Sequence, residues 1–272
     1  MPLVPDGFRC AVAIGLECGG MGEVAYLRSL AAVAEADGAR LQLFVPGEEL
    51  IPHAAALEGL AAAGHAVDLL LPADGPALDG DTDHLHAYLL EAREAYLGLW
   101  PEGPRGLRVA EMRRNGLHSA PHLQEAIQGL GLSFISSDYS TKVPDNPRNI
   151  GFADKNAAMI MKHSQPRWYP AGLLEVPAPG YSDRAFFETQ GRSLEEWVTH
   201  LQQCVDFAHD MGGLLYAPPL HLDTLATHDP EGASVRLLLE YAASKKWGDV
   251  RFCTHREVWE WAEGARAAAS RG

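Results

Sequence analysis

Two alternating hydrophobic periods limit the fold of this chain more than any other feature. Short, nearly continuous apolar runs are followed by stretches whose apolar residues recur at helical spacing, in units of about 25–30 residues. The first run, Cys10–Leu16, leads through Gly19-Gly20 into Glu23–Asp37, where Val24, Leu27, Leu30, Ala31, Val33 and Ala34 mark one helical face. Leu41–Val45 then predicts a strand, Pro52–Ala63 a helix, Ala66–Leu71 a strand and Thr82–Trp100 a helix. Gly106–Ala110, His118–Leu130 and Ser133–Ser137 continue the series as strand, helix and strand. Between 139 and 183 the chain is irregular and rich in Pro, Asn and Gly, and only Gly172–Val176 reads as extended. The alternation then resumes. Ser193-x-x-Glu196 is a capping box that opens a helix to about Met211, and Leu214–Ala217 reads as a strand. Gly232–Lys245 reads as a helix and Val250–Cys253 as a strand, and a second capping box, Thr254-x-x-Glu257, opens the last helix.

Strands separated by helices must run parallel, so the pattern implies either a (β/α) barrel or a doubly wound sheet, with about seven strands. The 272 residues read as one domain, because no shift in composition divides them. A formal charge of −14 argues against binding nucleic acid or an anionic lipid surface. No apolar run reaches the roughly 18–20 residues of a membrane span, and the first twenty residues lack the pattern of a signal peptide. Cys10, Cys18, Cys204 and Cys253 are too scattered for a disulfide framework or a zinc ribbon, so a reducing cytoplasm is the expected compartment.

In either architecture the ligand site lies at the carboxyl ends of the strands. That rule selects Glu17 and Cys18 after the first strand, Asp74 after the third and Arg108 in the fourth. It also selects Ser137-Asp138-Tyr139 after the fifth strand, and Pro218–His221 on the loop after Leu214–Ala217. Glu17 before a glycine pair suits a general base, and equally a helix cap or an ion pair with Arg108. Cys18 is either a site residue or a small buried one. His84 and His86, two apart on a helix, point to different sides and read as solvated. His118 and His122 share a face but lack the glutamate of a zincin motif. His221 and His228 fall on the correct side of the fold, on a loop. No P-loop, GxGxxG or GxSxG is present. Among the aromatic residues, Trp100, Trp168, Tyr169, Tyr139 and Tyr181 are candidates on which a sugar ring stacks or else core residues, all but Trp100 lying in the irregular middle section, while Trp259 and Trp261 read as packing.

The order of segments resembles the polysaccharide deacetylase (NodB-like) superfamily, distorted (β/α)-barrel hydrolases of non-peptide C–N bonds. The resemblance spans nearly the whole chain. AVAIGLECGG resembles the first strand and turn, ARLQLFVPG the second strand, and LEGLAAAGHAVDLLL the approach to a histidine pair. GLR at 106–108 falls where the arginine motif begins, and LGLSFISSDYS, LLYAPPLHL and RFCTHREVWEWAE resemble later elements. The motifs themselves depart from the pattern. Where the superfamily has two adjacent aspartates, a base and a metal ligand, this chain has Glu17 and Cys18; where it has two metal-binding histidines, this chain has Leu70 and Asp74. One thiol, one leucine and one carboxylate are a poor ligand set for a hydrolytic ion, so no tightly bound catalytic metal and no cofactor are expected. Glu17-Cys18-Gly19-Gly20 is similar to the Glu-Glu-Gly-Gly turn of metal-independent allantoinase-type relatives.

The resemblance implies a distorted barrel that hydrolyses an amide C–N bond in an N-acyl saccharide or a small cyclic amide. It assigns Glu17 as base, Arg108 as oxyanion or substrate partner and His221 as acid. Cys18, Asp74, Asp138, Tyr139 and Trp168 are the expected substrate-binding residues. The expected partner is a small molecule or saccharide, with no nucleic acid and no membrane. The alternative is a non-catalytic relative that binds a carbohydrate or metabolite on the same barrel.

Overall fold

A computed structural model describes residues 4–73, 75–76, 82–109, 117, 120–139, 162, 164–244 and 248–270, the side chains of Asp138 and Tyr139 excepted. The first apolar run forms two strands, β1 (Cys10–Ala13) and β2 (Gly15–Glu17), which change partners at Ile14. Helix α1 (Val24–Ala36) follows, then β3 (Gln42–Val45), α2 (Gly47–Leu50), α3 (Ala54–Ala62), β4 (Ala66–Leu71) and α4 (Thr82–Leu97). The next elements are β5 (Gly106–Val109), α5 (Pro121–Gly129) and β6 (Phe134–Tyr139). Among the described residues the middle section contributes three short strands, β7 (Arg167–Trp168), β8 (Leu174–Glu175) and β9 (Ala178–Pro179), and it is followed by a π-helical turn at Ala185–Thr189. The chain ends with α6 (Leu194–Met211), β10 (Leu214–Tyr216), β11 (Pro219–His221), α7 (Leu222–His228), α8 (Ala233–Ala242), β12 (Val250–Cys253) and α9 (His255–Ala269).

Both capping boxes form, at Ser193/Glu196 and Thr254/Glu257. The stretch from Pro219 to His221, read from sequence as a loop, is instead a strand. Pro218 and Pro219 carry no N–H, so they interrupt the ladder after Tyr216 and imitate a turn in the sequence, yet the chain stays extended beside β2. His221 therefore ends a strand, and His228 ends α7.

Eight strands make a curled sheet in the order β11-β2-β3-β4-β5-β6-β8-β7, with β9 added to β6, and β10-β1-β12 form a second, short sheet. Among the described residues every pairing is parallel except β7 with β8. This is the expected α/β architecture, a distorted barrel open along one side rather than a doubly wound sheet. Alternate residues face in and out. Leu43, Val45, Val67, Leu69, Leu107 and Ile135 face outward into a layer shared with the helices, through Leu27, Leu57, Leu89 and Ile127. Phe44, Leu70, Phe134, Leu174 and Ala217 face inward, where Val258 and Ala262 of α9 join them. Strands buried on both faces read as nearly continuous apolar runs, which is why the sequence reveals them.

Helix α9 crosses the amino-terminal ends of these strands. Its Arg256 donates to Asp68 Oδ1 (3.0 Å) and the Val67 carbonyl (2.8 Å), while the Arg256 backbone N–H donates to Gln42 Oε1 (3.2 Å). Asp68, fully buried in an otherwise apolar strand, also accepts from Gln42 Nε2 (3.0 Å) and from the N–H groups of Arg105 (2.7 Å) and Gly106 (2.9 Å). One carboxylate thus ties β3, β4, β5 and α9 together at the closed end and leaves the carboxyl ends of the strands for a site. No helix among the described residues is long and apolar enough to cross a membrane.

Candidate active site

Glu17 ends β2 and shares the inward face with Gly15; in register it lies between His221 of β11 and Phe44 of β3. Arg108, inward on β5, lies between Leu70 and Ser136. Its guanidinium reaches across the barrel so that Nε donates to Glu17 Oε1 at 2.8 Å and one terminal nitrogen to Ser136 Oγ at 3.2 Å. On the opposite side of the carboxylate, His221 Nε2 stands 3.6 Å from Glu17 Oε2. The other imidazole nitrogen, Nδ1, donates to Asp183 Oδ1 at 2.5 Å, and the His221 backbone N–H donates to Asp183 Oδ2 at 2.8 Å.

The result is a continuous line, Asp183–His221–Glu17–Arg108–Ser136, with Glu17 6 %, Arg108 3 %, His221 5 % and Asp183 0 % exposed. Burial by itself would push the His221 imidazole toward its neutral form. The hydrogen bond and charge of Asp183, with the charge of Glu17, outweigh burial and hold its pKa above the usual 6.5. Asp183 fixes which nitrogen faces Glu17, the arrangement required of a histidine that must give up a proton in one direction.

Sequence reasoning placed Glu17, Arg108 and His221 in one site with an ion pair as one reading of Glu17 and Arg108, and the structure brings the three side chains within 3.6 Å of one another in turn. A solvated loop is the wrong setting for His221, which is buried at a strand end. The Glu17–Arg108 ion pair also forms, so the carboxylate is both paired and adjacent to a histidine. Cys18 is turned into the outer apolar layer, with its sulfur 3.7 Å from the Leu16 carbonyl; burial and then the Glu17 charge push its thiol pKa upward, so it does not line the mouth. Trp168 is half-buried beside Leu174, with Arg266 stacked on its ring at 4.3 Å; this places it toward the closed end beside α9, away from Glu17. Asp138 and Tyr139 pair through their backbones with Ala178 and Pro179, and their side chains lie outside the described residues, as do Asp74 and His118. His84, His86 and His122 are exposed. Asp183 and Ser136 were missed. The partners of Asp183 are far along the chain, and nothing around Tyr181-Ser182-Asp183 marks a buried carboxylate.

No family model matches the sequence, and no curated protein matches it significantly. Solved structures do. The chain superposes on Puue allantoinase with a TM-score of 0.70 at 16% identity, over 95% of this chain and 92% of that one. It superposes on a probable polysaccharide deacetylase from Pseudomonas aeruginosa PAO1 with a TM-score of 0.71, also at 16% identity, over 95% and 92% of the two chains. A mutant of BA3943, a CE4 family pseudoenzyme with restored enzymatic activity, aligns with a TM-score of 0.55 at 9% identity, over 94% of this chain and 68% of that one.

The chain has the polysaccharide deacetylase (NodB-like) fold. The resemblance seen in the order of segments is therefore a resemblance of architecture. Members of this fold hold a divalent ion at the position that Glu17, Cys18 and Leu70 occupy in this chain. Cys18 faces away from the mouth, Leu70 puts hydrocarbon in the inner cluster, and the Arg108 guanidinium already lies on Glu17. Among the described residues no three His, Cys, Asp or Glu side chains converge to hold an ion. The described side chains around Glu17 therefore offer no complete ligand set for such an ion, and Asp74 and His118 lie outside the described residues.

Proposed function

We propose that this protein hydrolyses an amide-type C–N bond in a small substrate, using Glu17 and His221 for proton transfer and Arg108 for charge stabilisation. The observation that carries this reading is the 3.6 Å approach of His221 Nε2 to Glu17 Oε2, with the opposite nitrogen held by Asp183. Water attacks the substrate carbonyl carbon while Glu17 takes a proton from it. The carbonyl oxygen becomes an oxyanion, and Arg108 supplies positive charge inside a buried site, where it acts strongly. His221, whose pKa its two carboxylate neighbours raise against the effect of burial, gives a proton to the departing nitrogen as the C–N bond breaks. The products are a carboxylic acid and an amine, and proton exchange with solvent restores both groups.

Near-complete burial of the four side chains favours a compact ring amide or a short N-acyl sugar over a polymer lying in an open groove. A second reading, a binding protein that does no chemistry, is favoured by the Glu17–Arg108 ion pair, which satisfies the carboxylate at rest. Incubating the protein with N-acetylated amino sugars and with cyclic ureides, and following amine or acid release, separates the two. Turnover that disappears in Arg108→Ala supports hydrolysis, whereas binding without turnover supports the second reading.

A further inference from the structure

The two stretches of chain that carry Asp183 and His221 are joined a second time, outside the contact between those side chains. Arg184 follows Asp183, and Asp223 lies just beyond His221, in the first turn of α7. Arg184 Nη2 donates to both Asp223 oxygens at 2.9 Å, and Arg184 Nε stands 3.9 Å from Glu188 Oε1. The same Glu188 oxygen accepts from Thr224 Oγ1 at 3.0 Å, and the Thr224 N–H donates to Asp223 Oδ1 at 2.8 Å. Arg184, Asp223, Thr224 and Glu188 thus close a ring of polar contacts between the π-helical turn and α7. Phe187 extends the seam to the far end of α7, where its ring stacks on His228 with centroids 4.8 Å apart.

An isolated ion pair with side chains 42 % and 58 % exposed contributes almost nothing to stability, but this one belongs to a network. Electrostatics alone does not explain Arg184 either. Its positive charge works against a proton on His221, opposite to the effect of Asp183 and Glu17. Position explains it. Asp183 sits in irregular chain, and an imidazole is aimed only as well as the carboxylate behind it is held. We propose that Arg184 and Asp223 are positioning residues, an ion pair that keeps the Asp183 carboxylate on His221 by joining the chain just beyond each. This rests on the reading above for the role of His221, and extends it to what keeps that part of the site assembled.

The imidazole Nδ1–H held by Asp183 gives a far-downfield proton resonance, assigned by its loss in His221→Gln. Its exchange with solvent, measured on the full chain, reads how tightly the two side chains are held. In Arg184→Gln and in Asp223→Asn the protein stays folded and that proton exchanges about 10- to 100-fold faster. The double variant is no worse than either single one, because both break the same link. Arg184→Lys, which keeps the charge, recovers part of the loss. A pair that only stabilised the fold would lower the melting temperature and leave this proton unmoved. Unchanged exchange in both single variants overturns the proposal, and so do losses that add in the double variant. Absence of the resonance from the unmodified chain overturns it too, since the ion pair would then have nothing to hold. The measurement needs no substrate, so a chain that cleaves no amide fails the hydrolase reading and leaves this result standing.

Discussion

The His221 imidazole and the Asp183 carboxylate meet twice, ring nitrogen to Oδ1 at 2.5 Å and backbone N–H to Oδ2 at 2.8 Å, in a site that exposes almost none of either. Asp183→Asn keeps the shape and removes the charge. His221 then loses its main reason to stay protonated above the ordinary value, while burial still disfavours its charged form. Activity that depends on a proton held by His221 is lost as pH rises through its raised pKa, so the alkaline limb of a pH–rate profile moves to lower pH in this variant. The rate at the optimum falls by about 10²- to 10⁴-fold, as when a histidine loses its orienting carboxylate. An unmoved limb would remove Asp183 from the mechanism.

Acid should weaken the fold through two other histidines. Burial holds His200 at a pKa of about 4, and burial together with Arg108 holds His255 at about 3, against 6.5 for a free imidazole. Below 6.5 the unfolded chain binds protons that the folded chain refuses, so stability drops by about 1.4 kcal/mol per pH unit for each, down to its folded value. His221 has the opposite sign: its contribution is present below 6.5 and is lost as pH rises through its raised value. Urea unfolding at about pH 7, 6 and 5 reads the balance, with midpoints falling toward acid. Flat midpoints would contradict the burial of His200 and His255.

The architecture could be read in the sequence because strands buried on both faces, such as Cys10–Ala13, are apolar without interruption, and because two capping boxes announce α6 and α9. The site could be read only in part. Glu17 stands out as a charge at the end of an apolar run and Arg108 as a charge inside one. His221 is disguised by Pro218 and Pro219, which signal a turn where the backbone remains a strand. Asp183 sits in irregular chain, and its role exists only once β11 is placed beside β2, a long-range event with no local spacing. Cys18 shows the reverse error: beside Glu17 in sequence, it points to the other face because strand residues alternate.

Asp68 supports the closed end of the barrel. Asp68→Ala leaves Arg256 and Gln42 without their carboxylate and strands the N–H groups of Arg105 and Gly106. The expected loss is about 3–5 kcal/mol, read as a reduced urea midpoint. A loss under about 1 kcal/mol would mean that solvent or neighbouring groups replace this network.

The four cysteines are all buried and unbridged. Burial, with the Asp249 charge adding to it, pushes the Cys10 thiol up to about 12, and burial raises Cys18, Cys204 and Cys253 as well. Since the thiolate is the reactive form, a chromogenic disulfide reagent should leave the native protein unlabelled and label all four on denaturation. Rapid native labelling of Cys18 would place its sulfur at the mouth and restore it to the substrate contacts.

The most direct examination of the whole account is the turnover of a cyclic ureide or N-acetylated sugar by Glu17→Gln beside the unmodified chain, with folding and substrate binding checked in both. Glutamine keeps the size and a hydrogen bond to Arg108 but takes no proton from water, so the account requires a rate reduced by about 10²- to 10⁴-fold with binding largely retained. Equal rates in the two proteins would contradict it.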